Sequence, residues 1–261
     1  MKNTVGLLAI ALVIVCSLFV FQPKNVEGPR VPAQTLKTLQ FPYAKFNQVL
    51  KVAFPQAETS PRYDLLKANS TALDDYLGLI SEIGPRSAPH RFTRREQRLA
   101  YMLNAYTAGL FAIIRDHCPI SSVEDPYWFG GLFWRVSLRI GGEDISLSDL
   151  AAEISKLALD DPRVMLAVSR GMKANLPVRQ IAWTPENLEQ GFQELEAQLL
   201  HPPFTNSEGS TLRLGAPYKW YEHRFLPSPR KYIEARKNGF TKELTQIKFV
   251  SIDTSLDGPC Q

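Results

Sequence analysis

Residues 134–159 read WRVSLRIGGEDISLSDLAAEISKLAL, and how they are read decides the fold class. From Trp134 to Ile140 apolar and polar residues alternate, the period of a half-buried strand. Gly141 and Gly142 supply a turn whose backbone angles glycine tolerates, and Asp144–Leu147 runs back. The pattern then predicts a helix over 148–159. A hairpin that feeds a helix breaks the βαβ alternation of a parallel sheet. The expectation is therefore α+β: helices packed on a small, mainly antiparallel sheet, in a single globular domain that follows an N-terminal membrane segment.

Upstream, Thr93 and Glu96 have capping-box spacing. Leu99, Met102, Leu103, Tyr106, Leu110 and Ile113 then recur at helical period, so a helix is expected from Thr93 to about His117, before Pro119. Downstream, DPRVMLAVSRGMKANLPVR occupies 161–179. Its apolar start reads as a short strand over 163–168 that delivers a small, polar loop. Thr184-Pro185 reads as a helix start, with Leu188, Phe192, Leu195 and Leu199 as the buried stripe. Further strands are expected over 211–214 and 245–252.

The chain has 261 residues, 44% of them hydrophobic and 21% charged, and a net charge of +4. That balance suits a globular protein with a core and lacks the clustered basic face of a nucleic-acid binder. Val5–Phe21 carries no charge over 17 residues. It reads as a signal anchor (residues 1–21), with a cleaved signal peptide as the runner-up. The body of the chain is then extracytoplasmic, anchored to a membrane through residues 5–21 or secreted after cleavage. Residues 22–41 hold three Pro and one Gly and read as a linker, with the globular domain over 42–261. Cys118 and Cys260 either pair in an oxidising compartment or stand as two thiols; the sequence leaves both open.

Six ordered segments resemble the family catalogued as domain of unknown function 547. Leu99–Tyr106 is similar to its aromatic helix with an Asn-Ala-Tyr centre. Asp116–Val123 is similar to the turn after that helix, and Ile145–Leu150 to its strand-to-helix junction. Asp161-Pro-Arg163, Pro177-Val-Arg179 and Lys219-Trp-Tyr221 resemble later landmarks, so the family-like core spans about 73–225. The resemblance implies a Glu-His pair at the positions held here by Ala151 and Ala152. It also implies cysteines where this chain has Arg170 and Asn175. A thiol- or imidazole-based site is therefore not inherited, since a thiolate is the usual nucleophile and an imidazole its usual activator.

The candidate ligand-binding residues are Asn104, Tyr106, Arg163, Arg170, Arg179, Lys219 and Tyr221. Asn104 and Tyr106 either line a cleft or serve the core, Asn104 by satisfying a buried backbone group. Arg163, Arg170 and Arg179 either converge on a carboxylate or phosphate or form separate surface ion pairs. Lys219-Trp-Tyr221 is either a cleft wall or a core anchor. The histidines have no metal-ligand spacing among themselves or with a cysteine, so no metal and no cofactor is expected.

The leading functional expectation is a membrane-anchored extracytoplasmic domain that binds without catalysing. Its partner would be a small anionic or peptide-like ligand, or an envelope protein. The alternative is a hydrolase or transferase with relocated catalytic residues, Ser169 beside Arg170 being its candidate nucleophile.

Overall fold

A computed structural model describes residues 24–32, 36, 43–127, 131–237, 239–240 and 243–261. The apolar run 5–21 lies outside these residues. Among the described residues no helix is long and apolar enough to cross a membrane.

The fold is α+β, as expected, but its strands form two small mixed sheets. In the first, β2 (Val136–Ile140) and β3 (Glu143–Ser146) make the antiparallel hairpin read from the sequence. β1 (Lys24–Val26) adds a parallel strand to the free edge of β2, with Lys24 opposite Val136. In the second, β4 (Thr205–Glu208) and β5 (Thr211–Leu214) form a hairpin, and β6 (Gln246–Phe249) pairs parallel to β5. The two hairpins are local, whereas both parallel strands come from distant chain. Each covers a hairpin edge that would otherwise expose unpaired backbone groups.

This corrects the reading of 22–41 as a linker over its described part. Val26 is buried, Gly28 lies against Gly78, and the Leu36 carbonyl accepts from Arg91 Nη2 at 2.6 Å. A proline-rich composition does not prevent docking where a neighbouring strand offers an open edge.

Before the first hairpin come α1 (Tyr43–Ala53), α2 (Tyr63–Ala68), α3 (Thr71–Glu82) and α4 (Arg95–His117). α4 is the axis of the core. It was expected to bury one stripe, but it is buried all round from Leu99 to Ile114, apart from Met102. Ala100, Ala105, Ala108, Gly109 and Ala112 explain this, because small residues on the remaining faces admit neighbours closely. At Gly109 a methyl would collide with the Leu138 side chain on β2. The helix also starts two residues later than expected. The Thr93/Glu96 cap is not formed; the Arg94 backbone N–H donates to Gln97 Oε1 at 2.9 Å instead.

After α5 (Leu132–Arg135), one turn long, the hairpin leads into α6 (Leu147–Ala158), whose N-cap is Ser146. The expected strand over 163–168 is not formed. Arg163–Leu166 is a single helical turn, α7, started by the Arg163 N–H donating to Asp161 Oδ1 at 2.9 Å. Val164, Met165 and Leu166 are all buried, so the run serves the core without a strand partner. A short apolar run carries no periodicity that separates the two outcomes. α8 (Leu188–Leu199) begins three residues after Thr184-Pro185, because Asn187 rather than Thr184 organises its start. α9 (Ala216–Trp220) and α10 (Pro229–Glu234) complete the α-helices among the described residues.

Cys118, the residue that ends α4, is bonded to Cys260 across 142 residues. The C-terminal tail reaches this bond by lacing two loops together. Leu256 N–H donates to Ser121 O at 2.8 Å, and Asp257 N–H to Gly171 O at 2.9 Å. Lys173 N–H returns a bond to Ser255 O at 2.9 Å.

Candidate functional site

A cavity of about 440 Å³ opens where α6, the loop after α7, and the segment after α9 meet. Its volume falls within the ~300–1,000 Å³ typical of small-molecule sites. α6 contributes Ser148, Ala151, Ala152 and Ser155. These sit at i, i+3, i+4 and i+7, one face of a helix, and all four are small. Space is left because that face has no long side chain. Met165 and Val168 form an apolar wall, and Phe133 and Trp134 of α5 form another.

Arg170 enters this space from the loop after α7. Its Cζ lies 4.8 Å from the centre of the Trp220 ring, a cation–π stack. Tyr106 of α4 and Tyr221 face the same cavity and are nearly fully buried. Burial pushes both phenols above their ordinary range. The Arg170 guanidinium pulls each the other way, and also bonds the Tyr221 hydroxyl. The loop itself is held from two sides. Asn175 Oδ1 accepts from Arg170 N–H at 3.0 Å and from Met172 N–H at 3.3 Å, and Asp257 of the C-terminal tail secures Gly171.

Arg224 also lines the cavity, but it is committed elsewhere. Its guanidinium donates to Leu159 O at 2.7 Å and to Ser155 O at 3.0 Å, the open carbonyls at the end of α6. A cation there complements the helix C-terminus. Arg170 has no such relief: among the described residues no carboxylate lies within ion-pair distance of it. No Asp or Glu appears among the lining residues, which include the exposed His223.

Three of the four positions at which the sequence departs from its family resemblance therefore line one cavity, and the fourth, Asn175, holds the loop that carries Arg170. Ala151 and Ala152 on α6 face Arg170 across one cavity. Residues 89–199 match the family described as a protein of unknown function, DUF547. The match is to the same family that the ordered landmarks resemble. This DUF547 segment runs from before α4 to the last residue of α8, and it supplies all of the cavity except Trp220, Tyr221, His223 and Arg224. No curated protein and no solved structure matches the chain.

Of the candidate ligand residues, the structure brings Tyr106, Arg170 and Tyr221 together. Asn104 sits two positions from Tyr106 on α4, so the two side chains diverge. Asn104 Nδ2 donates to Trp183 O at 2.8 Å, and its Oδ1 accepts from Trp183 N–H at 2.9 Å. Arg179 stacks 4.9 Å from the Trp183 ring and pairs with Glu194 at 3.2 Å. Arg163 pairs with Asp161 and Glu189 at 2.8 and 2.9 Å and fastens α7 to α8. The three arginines thus do not converge. The reason is local: Arg163 and Arg179 each have a carboxylate close by, and Arg170 has none among the described residues. Lys219 is exposed and does not line the cavity.

Ser169 is 7% exposed, and its Oγ accepts from the Gly171 N–H at 3.1 Å. It stabilises the turn and is not among the cavity-lining residues. The reading of single residues missed Phe133, Trp134 and Met165. Their aromatic or apolar character is indistinguishable in sequence from core.

Proposed function

We propose that the DUF547 cavity binds a small ligand through an anionic group, a carboxylate or phosphate, and does so without turning it over. One observation carries the reading: the Arg170 guanidinium projects into a largely apolar cavity and has no carboxylate partner among the described residues. A guanidinium presents a planar fork suited to such oxygens, and the low-dielectric walls strengthen the pairing. Tyr106 and Tyr221 offer hydroxyls beside it. The site is read as one that binds because Ala151 and Ala152 stand where the family resemblance implies a Glu-His pair, and no carboxylate lines the cavity to activate Ser148 or Ser155 beside them. We further propose that residues 5–21 hold this domain at the extracytoplasmic face of a membrane.

The test is a titration of the full chain with inorganic phosphate and with short carboxylates, read by tryptophan fluorescence, because Trp220 stacks on Arg170. Saturable binding is expected, weakened about ten- to a hundredfold in Arg170→Ala. Binding that is unchanged in Arg170→Ala overturns the site. Turnover of any bound ligand that disappears on changing Ser148, Ser155 or Ser169 overturns the non-catalytic part. Alkaline extraction of membranes and protease accessibility in intact cells test the anchor: release from the membrane or protection from the protease counts against it.

A further inference from the structure

The cavity stands close to where the chain arrives from its apolar N-terminal run. That run ends at Phe21, and β1 begins at Lys24. Three residues span at most about 11 Å. Lys24 is opposite Val136 across a strand pair, about 4.8 Å away. Val136 directly follows α5, whose Phe133 and Trp134 line the cavity. Trp134 is two residues from Val136, at most about 7 Å. The cavity rim thus lies within about 23 Å of the end of the run, measured along the chain and one strand pair. A free linker over 22–41 would have allowed about 65 Å.

The rim has the chemistry of a bilayer interface. Trp134 is 49% exposed, and the Arg135 guanidinium sits 4.6 Å from its ring and 5.5 Å from the ring of Tyr127. Aromatic and cationic side chains are those that settle at the headgroup level, and a cation there attracts anionic lipid. Two exposed leucines adjoin Arg224, which lines the cavity: Leu159, whose carbonyl accepts from it, and Leu226, two residues further along the chain. Inside, the walls divide by character. Met165, Val168, Leu147 and Phe133 are apolar, and Arg170 has neither a carboxylate among the described residues nor the backbone carbonyls that engage Arg224.

We infer that the ligand is an anionic amphiphile drawn from the adjoining membrane, with its phosphate or carboxylate head on Arg170 and part of one alkyl chain against the apolar walls. This rests on the anion-binding reading above and adds the chain and the route. A hydrophilic anion would use Arg170 and leave the apolar walls without a complement. An amphiphile uses both, and the short connection to the run keeps the rim at the surface that supplies it.

The experiment uses the full chain in phosphatidylcholine vesicles and reads the fluorescence of Trp220, isolated as the difference from Trp220→Phe. In one arm the vesicles carry phosphatidylglycerol brominated on an acyl chain; in a second the bromine is on phosphatidylcholine. A third arm adds inorganic phosphate or octyl phosphate to unlabelled vesicles. Quenching is expected from the brominated phosphatidylglycerol, is expected to be much weaker from phosphatidylcholine, and is expected to be lost in Arg170→Ala. Arg170→Gln is run beside it, since it keeps a donor for Tyr221 if the alanine variant fails to fold. Octyl phosphate should bind on the order of a hundredfold more tightly than inorganic phosphate, as four buried methylenes dictate. Equal binding of the two phosphates, both dependent on Arg170, overturns the amphiphile and leaves the anion site standing. Quenching by both lipids alike, unaffected at Arg170, overturns the selection of an anionic head. Binding in no arm removes both readings.

Discussion

Gly28 lies against Gly78 so closely that neither position admits a side chain. A methyl on Gly28 would enter the Gly78 amide nitrogen, and one on Gly78 would enter the Pro29 carbonyl oxygen. Backbone meets backbone here, and this contact fixes the segment after β1 to α3. Because backbone yields less readily than a flexible side-chain end, Gly28→Ala is expected to lift residues 24–32 from the body. The expected cost is about 1–3 kcal/mol, as for other overpacked sites. Trypsin should then cut after Lys24 and Arg30 while the rest of the chain stays folded. Unchanged resistance at both bonds would show that the approach is looser than described.

Asn104 pins Trp183 by both its backbone groups, deep in the core. Asn104→Ala strands a buried N–H and a buried C=O together, so a loss of about 2–4 kcal/mol is expected in urea unfolding. Asn104→Asp keeps the acceptor and loses the donor, and should fall between the two. Ligand binding at Arg170 should persist in any variant that still folds, because Asn104 does not line the cavity. A selective loss of binding with intact stability would reassign Asn104 to the site.

The Cys118–Cys260 bond closes 142 residues. Under denaturing but non-reducing conditions, alkylation should label only one of the three cysteines, Cys16. Removing the bond with Cys118→Ala and Cys260→Ala should cost about 2–5 kcal/mol, since the unfolded chain regains the freedom of a long loop. Three labelled cysteines would exclude the bond in the isolated protein.

Burial holds the Asp257 carboxyl above its usual value of 3.8, with the Ser60 hydroxyl, which donates to it at 2.6 Å, and the Lys173 charge opposing. The folded state therefore favours the protonated form. The stability this group contributes is full below the ordinary carboxylate pKa and is lost as pH rises through the raised one. Urea unfolding over a pH series should show a decline in that window for the native chain and a flatter course for Asp257→Asn. Matching slopes in the two proteins would remove Asp257 as the cause.

Much of the local structure was legible in residue patterns. The hairpin over 136–146 followed from alternation and a glycine pair. Gly141 and Gly142 both take positive φ there, at +58° and +86°. α4, α6 and α8 followed from apolar spacing, with ends displaced by one to four residues. The pattern over 163–168 reads as a strand, but five apolar residues in a row have no period, and Asp161 decides the matter by capping the turn of α7. At the site, Tyr106, Arg170 and Tyr221 were named in advance, but they were named alongside Asn104, Arg163, Arg179 and Lys219 with nothing to separate them. The discriminating fact is whether a carboxylate stands nearby: Arg163 has Asp161 two residues away as well as Glu189 26 away, and Arg179 has Glu194 15 residues away along the chain.

What the sequence determined by itself are the features carried by neighbours along the chain: helix period, hairpin turns, an uncharged apolar run over 5–21, and an ordered set of landmarks that resembles the DUF547 family. What only the tertiary structure decided are the features that require distant residues to meet. β1 and β6 joined the open edges of two hairpins, Cys260 reached Cys118, and Arg170 came to line one cavity with Ala151 and Ala152 with no carboxylate partner among the described residues. The physical reason is the range of the forces involved. Backbone hydrogen bonding and side-chain period act within a few residues and leave a trace in the order of the letters. Burial, edge pairing and charge compensation act through space, and any residue brought near can satisfy them.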